Sequence, residues 1–312
     1  MNSAGISRVF LSAMLLGASI HPAIAESILL QPVADTTLVE ITPDNNMGGT
    51  SFVNAGRAGQ SGLRNRGLFK FDFSSIPLNS KIKSASVTLE VTQEPNAGGE
   101  SSSFTLHRLL KNWGEGDKDS TFSDSPGFGL SATDNEATWN SPFAFTTNTW
   151  SFPGASNDFT TVISSSATVY GVADFPRFDS TAQMIADVQT WLDNPELNFG
   201  WLLKSESEST LRTARRFGSR EFAAGDVFSP PYIEVEFVSS PVLSNPQITN
   251  GQFNFSFFSE PNQNYVVEFK NALASTNSWL TLTNINAFES PTNILIVDTI
   301  STNARFYRVV AP

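Results

Sequence analysis

From Arg64 to Phe73 the chain alternates. Phe69, Phe71 and Phe73 fall on one side; Arg64, Arg66, Leu68, Lys70 and Asp72 fall on the other. That period of two is what a β-strand imposes on a segment with one buried face. Ser84 to Val91 repeats the pattern with Ala85, Val87, Leu89 and Val91 on one side, and Phe104 to Leu110 repeats it again. Gly200 to Lys204, Thr210 to Phe217 and Tyr232 to Val238 complete a set of strands separated by Gly, Pro, Asn and Ser clusters. One segment keeps a different period. Between Ser180 and Asp193, Met184, Ile185, Val188, Trp191 and Leu192 form a helical stripe, with Asp179 or Ser180 to cap it and Pro195 to stop it. Residues 239–247 carry two prolines and no charge and read as a linker. Five short strands follow: Gln252–Phe258, Asn264–Phe269, Ser278–Thr283, Ile294–Asp298 and Ala304–Val310. They suit a small immunoglobulin- or fibronectin-like sandwich. The predicted class is all-β.

The first 25 residues follow another logic. Arg8 precedes an apolar run, Val9 to Ile20, and Ala23-Ile24-Ala25 is a small-residue cleavage site. The run is too short to span a bilayer and fits a signal peptide cut after Ala25. The expectation is an exported chain, found outside the cell, with no transmembrane segment.

Composition narrows the chemistry. The 312 residues include 26 Phe and no Cys, which removes disulfides, thiolate metal sites and cysteine nucleophiles. There are two histidines, His21 and His107, too few for most histidine-cluster metal chemistry. The net charge of -11 argues against a nucleic-acid binder. No G-x-S-x-G, H-E-x-x-H or phosphate-loop pattern occurs. A lone strand histidine such as His107 reads as structural.

Several pieces together resemble one family. Ala34-Asp35-Thr36-Thr37-Leu38 opens the series, followed by Gly67 to Pro77, Ile82-Lys83-Ser84-Ala85, Asn112-Trp113-Gly114-Glu115 and Ala137-Thr138-Trp139-Asn140. Val188 to Leu192, Asn198 to Leu202 and Phe217-Gly218-Ser219-Arg220-Glu221 close it. In this order they resemble the DNRLRE (disaggregatase-related) domain, carbohydrate-binding module family 96, over residues 26–238. The resemblance implies a jelly-roll-like β-sandwich, export and polysaccharide binding, with alginate-type acidic glycans among the ligands. The chain departs from the family in a long stretch from Gly114 to Pro153. Residues 248–312 resemble the short C-terminal sandwich of exported proteins of the Verrucomicrobia type, through Asn264 to Glu268, Trp279 to Leu282 and Ala304 to Val309.

Charge suggests where a ligand would sit. Residues 57–70 hold four basic groups and no acid, and residues 204–220 carry a local +3. Strand parity puts Arg64, Arg66 and Lys70 on one face, and Arg212, Arg216 and Arg220 on one face. Together they would form a basic face for an anionic glycan, since guanidinium forks match carboxylates and sulfates. Pairing with the chain's own acids is the competing reading. Trp139 and Trp150, in loop-like sequence, are the better sugar platforms, although burial is the usual fate of such rings. Residues 113–196 carry a local -10. Within them Glu115, Asp117 and Asp119 offer oxygens of the kind Ca²⁺ takes, without EF-hand spacing, and a solvated acidic loop is the preferred reading. The functional expectation is a non-catalytic protein that binds an acidic, alginate-like polysaccharide. A secreted polysaccharide lyase or hydrolase, and a purely structural surface or matrix component, are the alternatives.

Overall fold

The computed structural model describes residues 25–59, 63–96, 98–223, 230–272, 278–299 and 304–311. The expected signal peptide lies outside these except for Ala25. The chain divides into two compact units, Ala25–Ser240 and Pro241–Pro312.

The first unit is a β-sandwich. One sheet orders Glu26–Leu30, Tyr232–Val238, Lys81–Thr88 and Arg177–Phe178. The other runs Ser165–Val169, Ser102–Arg108, Trp201–Ser205, Arg64–Phe71, Phe52–Arg57, Arg215–Gly218 and Val91–Gln93, with Pro32–Val39 also paired to Arg64–Phe71. The strand pairs are antiparallel. Between the sheets lies one core in which Phe69, Phe71 and Phe73 meet Ile82, Val87, Val235 and Phe237. Burial of each such side chain contributes about 1.5–3 kcal/mol.

The helix spans Ala182–Asp193 and turns Met184, Val188, Trp191 and Leu192 inward. Its cap is Thr181, not Asp179 or Ser180: the Thr181 hydroxyl accepts from the Met184 N–H at 3.0 Å. Trp191 stacks on Phe73 with centroids 6.0 Å apart and sets its edge to Trp201 at 4.6 Å. A fully buried carboxylate, Asp187, accepts from the Ser164 hydroxyl, the Gln183 amide and the Trp201 indole N–H, at 2.5, 2.9 and 3.2 Å, and its charge faces Arg108 Nε at 3.5 Å.

Three local expectations differ from the structure. Arg215–Gly218 is the strand expected at Thr210–Phe217; Arg212 stands in a turn with φ 66°. Arg220 opens a second, four-residue helix, Arg220–Ala223, so strand parity does not reach it. Part of the expected linker is a strand, Ser244–Thr249.

The outer face of the larger sheet is buried as well. Leu38, Leu68 and Leu202 leave that face and pack on Trp113, Ala137, Trp139, Trp150 and Ala155. These partners come mostly from the long stretch after Gly114, which folds as a largely irregular layer over the sheet. Gly56 shapes the strand beneath the cleft described below. Its φ of 100° suits glycine, and a Cβ there would stand 2.6 Å from the Thr213 carbonyl oxygen.

The second unit is a smaller sandwich. Ser244–Thr249, Gln252–Ser259 and Thr292–Thr299 form one sheet; Leu280–Ile285, Tyr265–Lys270 and Phe306–Val310 form the other. Phe255, Phe257, Tyr265, Val267, Ile294, Ile296 and Val309 fill it. Among the described residues no helix is long and apolar enough to cross a membrane.

Candidate functional site

Sheet register assembles a row of polar side chains. Arg216 stands opposite Asn54 on one neighbouring strand and Gln93 on the other. Residues directly opposite in an antiparallel pair share a face, so amide, guanidinium and amide line up across three strands. They floor a cleft of about 380 Å³ whose walls include Ile41, Arg64, Phe128 and Asn96. The short 3₁₀ turn Pro126–Phe128 closes one side. A Cβ on Gly127 would lie 3.4 Å from Arg216 Nη2, so this turn rests directly on the guanidinium.

Arg216 is half-buried. Its Nη1 donates to Gln93 Oε1 at 2.6 Å, and its guanidinium carbon sits 4.0 Å from the centre of the Phe52 ring. No carboxylate of a described residue lies within 4.0 Å of it. Burial, with no compensating acid, pushes its pKa below the ordinary arginine value; a guanidinium nevertheless stays charged at physiological pH. The cleft therefore holds a cation met by an amide oxygen and a ring face.

Arg64, on the same cleft, is differently placed. Its Nε and Nη2 donate to Glu40 Oε2 and Oε1 at 3.0 and 2.5 Å. This bidentate pair, through its hydrogen bonds first, holds the Glu40 carboxyl below its usual range.

The remaining members of the expected basic face do not join them. Arg66 is buried and bidentate to Glu208, both bonds at 2.8 Å, and its Nη1 donates to the Gly154 carbonyl at 2.6 Å. Arg212 pairs with Glu100 at 2.7 Å, and Arg220 pairs with Glu115 at 2.7 Å. Lys70 is half-buried and does not line the cleft. The single six-residue face thus resolves into one shared cleft, Arg64 with Arg216, and separate ion pairs. Excess acid in the chain makes such pairing cheap to find, and a helix and a turn break the assumed parity.

Trp139 and Trp150 are core residues, each 4% exposed. Arg64 and Arg66 cover the Trp139 ring at 5.2 and 5.5 Å, and the Trp150 indole N–H donates to the Thr138 carbonyl at 2.9 Å. Neither ring is open to a sugar. The three expected calcium ligands also diverge. Both oxygens of Glu115 accept from Arg220; Asp117 is exposed and paired with Lys118; Asp119 Oδ1 caps the Thr121 N–H at 2.8 Å. Among the described residues no three His, Cys, Asp or Glu side chains converge as a metal cage. His107 is buried, with Nδ1 2.9 Å from the Thr160 carbonyl, and burial lowers its pKa; this is a structural setting.

Sequence reasoning passed over Asn54, Gln93 and Phe128, which reach the cleft only through long-range register and a loop. It also passed over the placement of Asp35, and took Glu221 only as an acid with which the arginines of the expected face would pair, as Arg220 does at 3.1 Å. Asp35 is buried, its Oδ2 accepts from the Arg220 N–H at 2.8 Å, and its N–H donates to Glu115 Oε1 at 2.9 Å. Burial first, then the Glu221 charge, raises its pKa well above the ordinary carboxylate value. Both residues lay inside motif pieces already singled out, Ala34 to Leu38 and Phe217 to Glu221. A scan against protein-family models and a search of curated proteins each return no match to the chain.

Proposed function

We propose that the protein is an exported, non-catalytic carbohydrate-binding protein of the DNRLRE/family 96 type. In this reading its first unit takes an acidic sugar of an alginate-like polysaccharide in the Arg64–Arg216 cleft. The observation that carries the reading is Arg216: a half-buried guanidinium in a cleft, with no carboxylate of a described residue within 4.0 Å. A ligand carboxylate or sulfate would supply the missing charge, and charge-assisted bonds to guanidinium are among the stronger polar contacts. The neighbours suit a sugar. Asn54, Gln93 and Asn96 offer amides for hydroxyls, and Phe128 and Ile41 offer apolar surface. The size falls within the range of small-ligand clefts. Of the described lining residues only Glu94 is an acid, and no His or Tyr joins it, which favours binding over general acid–base chemistry. The order of charge, apolar run and small-residue site in residues 1–25 supports export.

The test is calorimetry of the purified protein with an alginate-like polyuronate and with a neutral glucan. The polyuronate is expected to bind more tightly, and more weakly as salt rises. Arg216→Ala should lose about 10- to 100-fold in affinity, the equivalent of about 1.5–3 kcal/mol for a hydrogen bond to a charged group. Equal affinity for both glycans, or an Arg216→Ala variant that binds like the parent, overturns the reading.

A further inference from the structure

Three motif pieces far apart in the chain converge on one buried cluster. Glu115 lies 80 residues from Asp35 and 105 from Arg220, yet its Oε1 accepts from Asp35 N–H at 2.9 Å and from Arg220 Nε at 2.7 Å. Arg220 also reaches Glu221 Oε1 at 3.1 Å. Two carboxylates thus meet one guanidinium, and a third, Asp35, accepts from the backbone N–H of the same arginine at 2.8 Å. Asp35 is 1% exposed, and the side chains of Glu115 and Glu221 are 17% and 26% exposed. When ionised, the group carries two uncompensated negative charges in a largely dry place.

Two oxygens within it have no partner. Asp35 Oδ1 and Glu221 Oε2 are buried and accept no hydrogen bond. A buried carboxylate oxygen without donor or cation is costly, and Glu221 is the strongest charge acting on Asp35. Glu115 has no such vacancy, because Arg220 and the Asp35 N–H occupy both its oxygens.

We infer that Asp35 and Glu221 hold a divalent cation, Ca²⁺, between their partnerless oxygens, with Glu115 and Arg220 fixing the two ligands in place. A double positive charge matches the two negative charges left over. The donors are all oxygen, which selects a hard cation, and Ca²⁺ accepts an irregular shell completed by water and backbone carbonyls better than Mg²⁺ does. The site shares no residue with the Arg216 cleft and does not depend on what that cleft binds.

The experiment uses the full chain after treatment with a chelator. Calorimetric titration with CaCl₂ should show binding. The melting temperature should rise by about 5–10 °C once Ca²⁺ reaches about a hundredfold its Kd, with a smaller rise for MgCl₂. Asp35→Asn and Glu221→Gln should each lose the calcium-dependent rise. Glu221→Gln, at the rim, serves where Asp35→Asn fails to fold. Arg216→Ala should keep the full rise, separating this site from the glycan cleft. A chelated parent protein that neither binds Ca²⁺ nor shifts in melting temperature overturns the inference. So does a folded Glu221→Gln variant that responds like the parent.

Discussion

Arg66 and Arg216 both belong to the chain's small stock of positive charge; Arg66 leaves the solvent, and Arg216 leaves it only in part. Arg66 meets a carboxylate fork, a backbone carbonyl and the Ser156 hydroxyl at 3.0 Å. Arg216 meets one amide oxygen and one phenyl ring. The first environment closes on itself and leaves nothing for a partner molecule. In the second, the charge is held in position but not neutralised. Counting basic residues on a strand cannot separate these cases, because the difference lies in which acid the fold brings alongside.

The two environments can be broken in opposite ways. Arg66→Ala should give the largest effect, a loss of about 3–5 kcal/mol in stability, because it strands the Glu208 carboxylate against a buried layer; urea unfolding monitored by tryptophan fluorescence checks this. Arg64 stands between the two cases, lining the cleft yet neutralised by Glu40. Glu40→Gln should free it, raise affinity for a polyuronate by about 3- to 10-fold through a second available fork, and cost no more than about 1 kcal/mol of stability, since the pair is partly exposed. The same release should occur without mutation as pH falls. Glu40 has a depressed folded-state pKa, so its stabilising contribution is present above the unfolded value of 4.5 and lost as pH drops through the folded value. Lys70→Ala marks the low end. It should leave both polyuronate affinity and melting temperature near the parent values, within the roughly 0.5 kcal/mol expected of a surface change; a large loss of affinity would restore the broad basic face in place of the cleft.

Much of the fold was legible because burial imposes a period. Tyr232–Val238 has the bounds that alternation gives it, and the phase of Phe69, Phe71 and Phe73 is that of the core. The opposite face of the same strand was misread for a physical reason. Leu68 among Arg64, Arg66 and Lys70 looks like one apolar residue on a wet face, whereas the face is roofed by Trp139 and Trp150 from a distant stretch. Those indoles seemed available to sugars only because loop sequence carries no sign of what it covers. Arg216 was identified from charge and parity. Its distinction from Arg212 and Arg220 was not, since it depends on a turn, a four-residue helix and register across three strands.

Asn46 carries a consequence for how the irregular layer stays on the sheet. Its fully buried amide donates to the Glu115 and Ala137 carbonyls at 2.7 and 2.9 Å and accepts from the Gly48 N–H at 2.9 Å. Two of these bonds close chain separations of 69 and 91 residues. Such closures cost entropy before any contact rewards them, and the irregular layer they fasten has few backbone ladders of its own to hold it meanwhile. One asparagine, in the segment between Pro32–Val39 and Phe52–Arg57, therefore fastens the roof to the neighbourhood of the sheet at two points. Wherever the roof is loosened, the Trp139 and Trp150 rings and the sheet face beneath them would meet water, an apolar surface open to self-association.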